Sequence, residues 1–245
     1  MKLTCINTGS VGNCYLLDSG TEVLILELGV NFKDIKVALN FDISRVCGAI
    51  VTHEHLDHSK AINDAAKAGI DIYSSPGTIN AINISSHRLH PVFAMKEFIL
   101  GEFKIKPFDV RHDCAEPFGY LINHPQCGNV LFITDSFYCR YTFPNLNNII
   151  VEANYCEDIM AEKFFSGDLN KIIRDRVMKS HMSLKTCKEL LMANDLKAVN
   201  NIVLIHLSDG NSDERKFKKQ VQDLTGKNVH VASKNLSIDL SKIPF

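Results

Sequence analysis

The apolar run V-C-G-A-I-V at 46–51 leads without a spacer into T-H-E-H-L-D-H-S at 52–59. This junction limits the fold more than any other stretch, because three histidines and an aspartate fall within six residues and must all stand at the end of one strand. Imidazole and carboxylate groups are the usual ligands of Zn²⁺, Mn²⁺ or Fe²⁺. On an extended strand end, residues two apart point to the same side, so His53 and His55 are expected to grip one ion together. Asp57 and His58 lie where the chain turns into a helix and are expected to face a second ion. A solvated turn that is merely histidine-rich is the bland alternative, and it does not explain why the cluster follows a strand.

Elsewhere the chain alternates short apolar runs with turn residues. K-L-T-C-I-N, N-C-Y-L-L-D-S-G and T-E-V-L-I-L-E-L-G read as a β-meander punctuated by glycine. Helical spacing of Phe32, Ile35 and Leu39 predicts a helix over 31–39, and a second is expected over 59–68. I-D-I-Y-S reads as a strand, Pro76 as a helix start, and E-F-I-L-G-E-F-K-I-K-P-F-D-V-R-H as a hairpin turning at Gly101. Strands follow in F-G-Y-L-I-N-H, N-V-L-F-I-T-D and N-N-I-I-V-E-A-N, then two or three helices over 155–195. A strand in N-I-V-L-I-H-L-S, a charged helix and a strand in N-V-H-V-A-S close the chain. Two β-rich stretches, each followed by helices, predict two sheets packed face to face with helices outside. With no linker, repeat or low-complexity tract visible, residues 1–245 are expected to form a single domain.

Composition narrows the partners. With 27 basic and 28 acidic residues the net charge is −1, so no global positive field is available for non-specific nucleic-acid binding, and any phosphate must be held locally. Aromatic residues make up 8% with no tryptophan, which tilts against a high-affinity polymer binder. The eight cysteines form no C-x-x-C pair and read as small buried hydrophobes in a reducing compartment. No leader-like segment or membrane-length apolar run is visible, so a cytoplasmic protein without a membrane partner is expected.

H-x-H-x-D-H after an apolar strand is the signature of the metallo-β-lactamase superfamily, which this chain resembles along nearly its full length. The matching segments, in order, are G-S-V-G-N-C-Y-L, T-H-E-H-L-D-H, R-H-D-C-A-E-P-F-G-Y, F-I-T-D-S, V-E-A-N-Y, S-H-M-S and I-H-L-S-D-G-N. It closely resembles the WalJ/YycJ-type branch, with the tRNase Z and PhnP phosphodiesterases as further relatives. The resemblance implies an α+β, four-layer αββα sandwich with two divalent metal ions, Zn or Mn, at the edge of the sheets. It implies that His112 completes a first metal site with His53 and His55. It also implies that Asp135 bridges both ions and that His206 completes the second site with Asp57 and His58. Taken singly, Asp135, His112 and His206 carry little, since strand-end histidines and aspartates are commonly structural. His87, His90, His124 and His230 are read as surface or structural residues.

Two ions roughly 3.5–4 Å apart would share a bridging hydroxide and clamp both oxygens of a displacement at phosphorus. Asp57 and Asp135 are then catalytic through the metals. His181, in K-S-H-M-S, resembles the histidine of the G-H-L-S-N segment in WalJ/YycJ-type proteins and would contact the scissile phosphate or protonate the leaving oxygen. Ser10 and Asn13 are substrate-side candidates by resemblance, together with Arg174 and Lys179 in a basic run that also includes Lys171 and Arg176. Glu27, in L-I-L-E-L-G, stands where the family carries a supporting aspartate, with one more methylene of reach. Asn154-Tyr155 departs from the family's Asn-His.

The leading reading is a dinuclear metal-dependent phosphodiesterase, and within it a nuclease of the DNA-exonuclease kind. The substrate would be a phosphodiester in DNA or RNA. The alternative substrate is a cyclic nucleotide or another small cyclic phosphate. A thioester or lactam hydrolase and a non-catalytic metal-binding module are further options. Oligomeric state is left open, a homodimer included.

Overall fold

The alternating apolar runs build two seven-stranded sheets in the computed structural model, which describes residues 1–243. In the first sheet β1 (Lys2–Asn7), β2 (Cys14–Asp18) and β3 (Val23–Leu26) form the expected antiparallel meander. Helix α1 (Phe32–Ala38) returns the chain to β4 (Val46–Ile50), parallel to β3. Short helices α2 (Leu56–Ser59) and α3 (Ile62–Lys67) lead to β5 (Ile72–Ser74). The next helix, α4 (Pro76–Ile82), leads to β6 (Leu89–Pro91). Pro76 opens α4 where its missing N–H costs nothing, and the Ser75 hydroxyl caps it by accepting the Thr78 N–H.

The second sheet begins with an antiparallel run of β7 (Phe98–Leu100), β8 (Phe103–Asp109), β9 (Phe118–His124) and β10 (Gly128–Ile133). Gly101, at φ 56°, makes the predicted hairpin turn. Strand β11 (Leu146–Glu152) joins β10 in parallel. Three helices follow, α5 (Glu157–Ser166), α6 (Lys171–Ser180) and α7 (Leu184–Ala193). Then β12 (Asn201–Ile205), α8 (Glu214–Thr225) and β13 (Asn228–Val231) extend the same parallel series. The last strand, β14 (Ser237–Asp239), crosses to the first sheet and pairs with β1.

Side-chain alternation assigns the layers. Leu17 and Leu24 face the other sheet, whereas their neighbours Leu16 and Ile25 face α1 and α3. The inner layer meets Phe103, Tyr120, Phe132 and Val203 of the second sheet, whose outer face carries Leu131, Ile149 and Leu204 against Cys187 of α7 and Phe217 of α8. The result is the four-layer αββα sandwich. All seven residues of β11 are buried because helices cover one face and the first sheet the other, which is why this strand shows no polar alternation.

Two expectations change. The helix predicted over 59–68 is broken, because the Ala61 N–H donates to Leu28 O at 2.8 Å instead of continuing the helical ladder. Strands β6 and β14 are not expected from the sequence, because L-H-P and S-I-D carry a single Leu and a single Ile among polar and turn-type residues and leave no strand signal.

Strand direction places the chemistry. The parallel strands β10, β11 and β12 all end at one edge of their sheet, and β4 delivers its histidine cluster to the same place. The second sheet also holds that segment directly: the Tyr120 hydroxyl donates to Val51 O at 2.8 Å and the Phe118 N–H to Thr52 O at 3.1 Å. Phe132, wholly buried and edge-on to Tyr15 across the two sheets at 5.9 Å, tests this packing. Phe132→Ala should lower the free energy of unfolding by about 3–5 kcal/mol in denaturant titration. A loss below about 1 kcal/mol would mean that the sheets do not pack through this layer.

Candidate metal centre

His53 and His55 lie beyond the end of β4, in the loop that enters α2, with His55 at the helix N-cap. They therefore converge through loop geometry and not through the strand pleat expected from their spacing. Three layers of loop clamp this segment. The Asn13 N–H donates to Asp57 O at 2.7 Å, and the Leu28 N–H to His58 O at 2.9 Å. A Cβ on Gly29 would stand 1.7 Å from Asp57 O, and one on Gly12 (φ 143°) 2.4 Å from Gly29 O. Only glycine permits that approach.

The first group is a histidine trio. His55 Nδ1 lies 3.1 Å from both His53 Nε2 and His112 Nε2. His112 Nδ1 donates to Ser180 O at 2.8 Å, which leaves its Nε2 as a lone pair facing the other two rings. A cation reconciles three ring nitrogens that converge in this way.

Asp57, His58, Asp135 and His206 form the second group, with one ligand atom from each lying within 4.8 Å of the others. His58 Nε2 stands 3.3 Å from Asp135 Oδ2 and 3.5 Å from Asp57 Oδ2, and His206 Nε2 3.7 Å from Asp57 Oδ2. His206 Nε2 is buried without a hydrogen-bond partner among the described residues. A buried, unpartnered imidazole nitrogen facing the Asp57 carboxylate, on a ring whose Nδ1 lies 3.1 Å from Asp135 Oδ1, is a donor set that fits a metal. Asp135 Oδ2 also lies 3.9 Å from His53 Nε2 and 3.7 Å from His112 Nε2, so one carboxylate faces both groups. Asp135 and His206 reach the centre by leaving their strands at positive φ, 42° and 52°, strain of a kind that collects at functional sites.

Sequence reasoning missed Glu152. It is fully buried at the end of β11, with Oε1 2.6 Å from His181 Nδ1 and 3.1 Å from His206 Nδ1. Its Oε2 accepts the Ser136 N–H at 2.9 Å and the Met182 N–H at 3.0 Å. The available signal was a lone carboxylate in an otherwise continuous buried strand. Asn154, in the same segment, donates to His206 O at 2.9 Å.

The remaining candidates divide. Glu27, fully buried, places Oε2 3.5 Å from His58 Nδ1 and accepts the Thr52 N–H, beneath the second group. Asn13 is also fully buried, and its amide spans Gly9 O, Asp57 O and His58 Nε2, so it braces the loop and offers no surface to a solute. Ser10 is exposed in that loop. Arg174 and Lys179 lie on α6, which runs into His181; Arg174 is already paired with Asp175 at 2.7 Å and lies 4.1 Å over the Phe164 ring. His90 pairs with Asp71, and His124 packs near Glu22 and Glu102, apart from the centre.

Charge is unevenly shared. Burial drives His53 and His112 below the ordinary imidazole value. Burial also opposes charge on His206, but Asp135, Asp57 and Glu152 outweigh it and push that ring up to about 10. The same competition holds His58 well above its usual value through Asp135 and Glu27, and raises His181 through Glu152. Burial likewise works against the Asp135 carboxylate, yet His206 and His58 hold it far below the usual carboxylate range.

Two outcomes follow from this geometry. With its ring pushed up to about 10, His206 is protonated at neutral pH, and His58 is shifted in the same direction, so a cation must displace protons to bind there. Titrating the metal-free protein with Zn²⁺ or Mn²⁺ in weak buffer should release protons, and affinity should fall as pH falls; uptake without proton release would remove His58 and His206 from the ligand set. Gly29→Ala should displace the Asp57–His58 segment and cut metal content measured by elemental analysis, while circular dichroism stays native-like. Full metal content in that variant would show that the loop packing does not position the centre.

Comparison with known proteins agrees with this architecture. Residues 15–207 match the Beta-lactamase superfamily domain. The chain is 26% identical over 230 residues to the exodeoxyribonuclease WalJ of Streptococcus pneumoniae serotype 2, covering 86% of this chain and 83% of that one. It is also 26% identical over 235 residues to the exodeoxyribonuclease YycJ of Bacillus anthracis, covering 87% and 85%. Among solved structures, the metallo-β-lactamase fold protein YhfI from Bacillus subtilis superposes with a TM-score of 0.72 at 16% identity, covering 97% of this chain and 99% of that one. A domain match across most of its length, joined to two sheets that carry a histidine and carboxylate centre at their common edge, makes this chain a member of the metallo-β-lactamase superfamily.

Proposed function

We propose that this protein is a metal-dependent phosphodiesterase that removes nucleotides from DNA ends. The observation that carries the reading is the pair of ligand groups sharing Asp135, open to solvent at His55, Asp57 and His181. The two exodeoxyribonucleases that match more than four-fifths of the chain favour DNA among phosphodiesters.

His53, His55 and His112 would hold one divalent cation, and Asp57, His58 and His206 a second, with Asp135 between them. Zn²⁺ or Mn²⁺ bound there would supply Lewis acidity toward a phosphoryl oxygen and acidify a water at neutral pH. The protein's own groups do the rest. Glu27 and Asn13 hold His58 and the Asp57 backbone, so the second group keeps its shape without substrate. Glu152, fixed by two backbone N–H groups, orients His181 through Nδ1 and keeps a proton on that ring. His181, with a side chain 15% exposed at the mouth of the centre, is placed to donate its proton to the leaving oxygen. Free thiols at all eight cysteines favour a reducing, cytoplasmic setting.

The test is metal-loaded protein with end-labelled single- and double-stranded DNA, RNA and a panel of cyclic nucleotides. Stepwise loss of nucleotides from DNA supports the proposal, and activity confined to the cyclic panel sinks it. His206→Ala should lower metal content by one equivalent and kcat by at least about 100-fold. His181→Ala should lower kcat by about 10²–10⁴-fold with both metals retained. Loss of metal in the His181 variant would favour the competing grouping of Asp135, Glu152, His181 and His206.

A further inference from the structure

Beside the centre lies a cavity of about 650 Å³ whose lining includes Phe137, Tyr155, Phe164, Phe165, Arg174 and Lys179. Three of the lining residues stand close in sequence to residues of the centre. Phe137 follows Asp135 by two positions, Tyr155 follows Glu152 by three, and Lys179 precedes His181 by two. Four aromatic residues of a chain with no tryptophan thus line one cavity.

The aromatic faces are unusually open. Phe165 is 86% exposed and Phe137 41%, and a contiguous apolar patch of this kind commonly marks a binding surface. Phe164 meets Phe165 edge-on at 5.8 Å and carries the Arg174 guanidinium on one face, so Phe164 fixes two flat groups on which a base can stack, the guanidinium and the open Phe165 ring. Helix α6 brings Lys171, Arg174, Arg176 and Lys179 against one carboxylate, Asp175, for a net charge of +3. Arg174 and Arg176 are paired with Asp175 and Asp113, whereas Lys171 and Lys179 make no salt bridge among the described residues. The unpaired Lys179 and the aromatics in the lining match a charged backbone carrying flat bases.

Resting on the DNA-end reading above, we infer that this cleft is a base-binding subsite that receives unpaired nucleobases next to the scissile phosphodiester. Its size, within the ~300–1,000 Å³ of small-ligand pockets, suits one or two nucleosides and excludes a duplex. A base still stacked in a helix has no free face to offer Phe165 or the Arg174 guanidinium, so the terminal base must leave the stack first. The enzyme would then favour frayed or single-stranded ends. It would grip the strand by local stacking, consistent with a net charge of −1 that supplies no general attraction to DNA.

The experiment compares an end-labelled single strand with the same strand made abasic at its terminal positions, using metal-loaded protein. The expected result is a KM roughly ten-fold lower for the base-bearing strand, the scale of one stacked base. The Phe164→Ala/Phe165→Ala variant should raise the KM for that strand and abolish the difference between the two. Equal KM values in the parent protein, or a preference that survives in the variant, would overturn the subsite and leave the exonuclease reading intact. A parent protein that cleaves neither strand would overturn both.

Discussion

One buried carboxylate organises this molecule. Asp135 is 2% exposed, and its two oxygens lie within 3.1–3.9 Å of ring nitrogens from His53, His58, His112, His181 and His206. A charge so deeply buried is tolerated only among compensating partners. Those partners come from the segments that follow β4, β8 and β12, from α2 and from the end of α6, so two sheets and two helices must meet before Asp135 is satisfied. The left-handed turn at Asp135 is the local cost of bringing the carboxylate back over the sheet edge.

Around this point the protein builds support in two directions. Under the second group, Glu27 and Asn13 brace His58, and the glycine-tight loops at 9–13 and 28–30 hold the Asp57 backbone. On the other side Glu152 links His181 to His206 and takes two backbone N–H bonds from the loops that follow β10 and α6. Glu27 shows how a departure from the family pattern can be absorbed. It stands at φ 68°, and from there the longer side chain still reaches His58.

His53, His55, Asp57 and His58 were legible as ligand candidates from H-x-H-x-D-H because ligand chemistry is written into residue type and short spacing, whereas His112, Asp135 and His206 came only from the resemblance. The sandwich was legible because two β-rich stretches are each followed by helices, but the facing of Leu16 against Leu17, and of Leu24 against Ile25, was not, since all four are apolar. Glu152 was not, because nothing in V-E-A-N says that its neighbours will be His181 and His206, respectively 29 and 54 positions away. Asn13 was read as a substrate contact and proves to be buried, since sequence records the amide but not which way its loop folds. The break at Ala61 was hidden for the same reason: its carbonyl partner belongs to Leu28, on a different loop.

By itself, the sequence determined most of the strand pattern, the stacking of two sheets between helices, and the residue types able to hold a cation. Those properties follow from local periodicity and from side-chain chemistry. Tertiary structure alone decided which of these groups meet. Parallel pairing of β10, β11 and β12 brings Asp135, Glu152 and His206 to one edge, and packing of the second sheet against the first adds the histidines of the β4 loop. It also gathered Phe137, Tyr155, Phe164 and Phe165, dispersed in a chain with few aromatics, into one cleft beside the centre. Contacts between residues distant in the chain depend on strand order and direction, which no local stretch of sequence encodes.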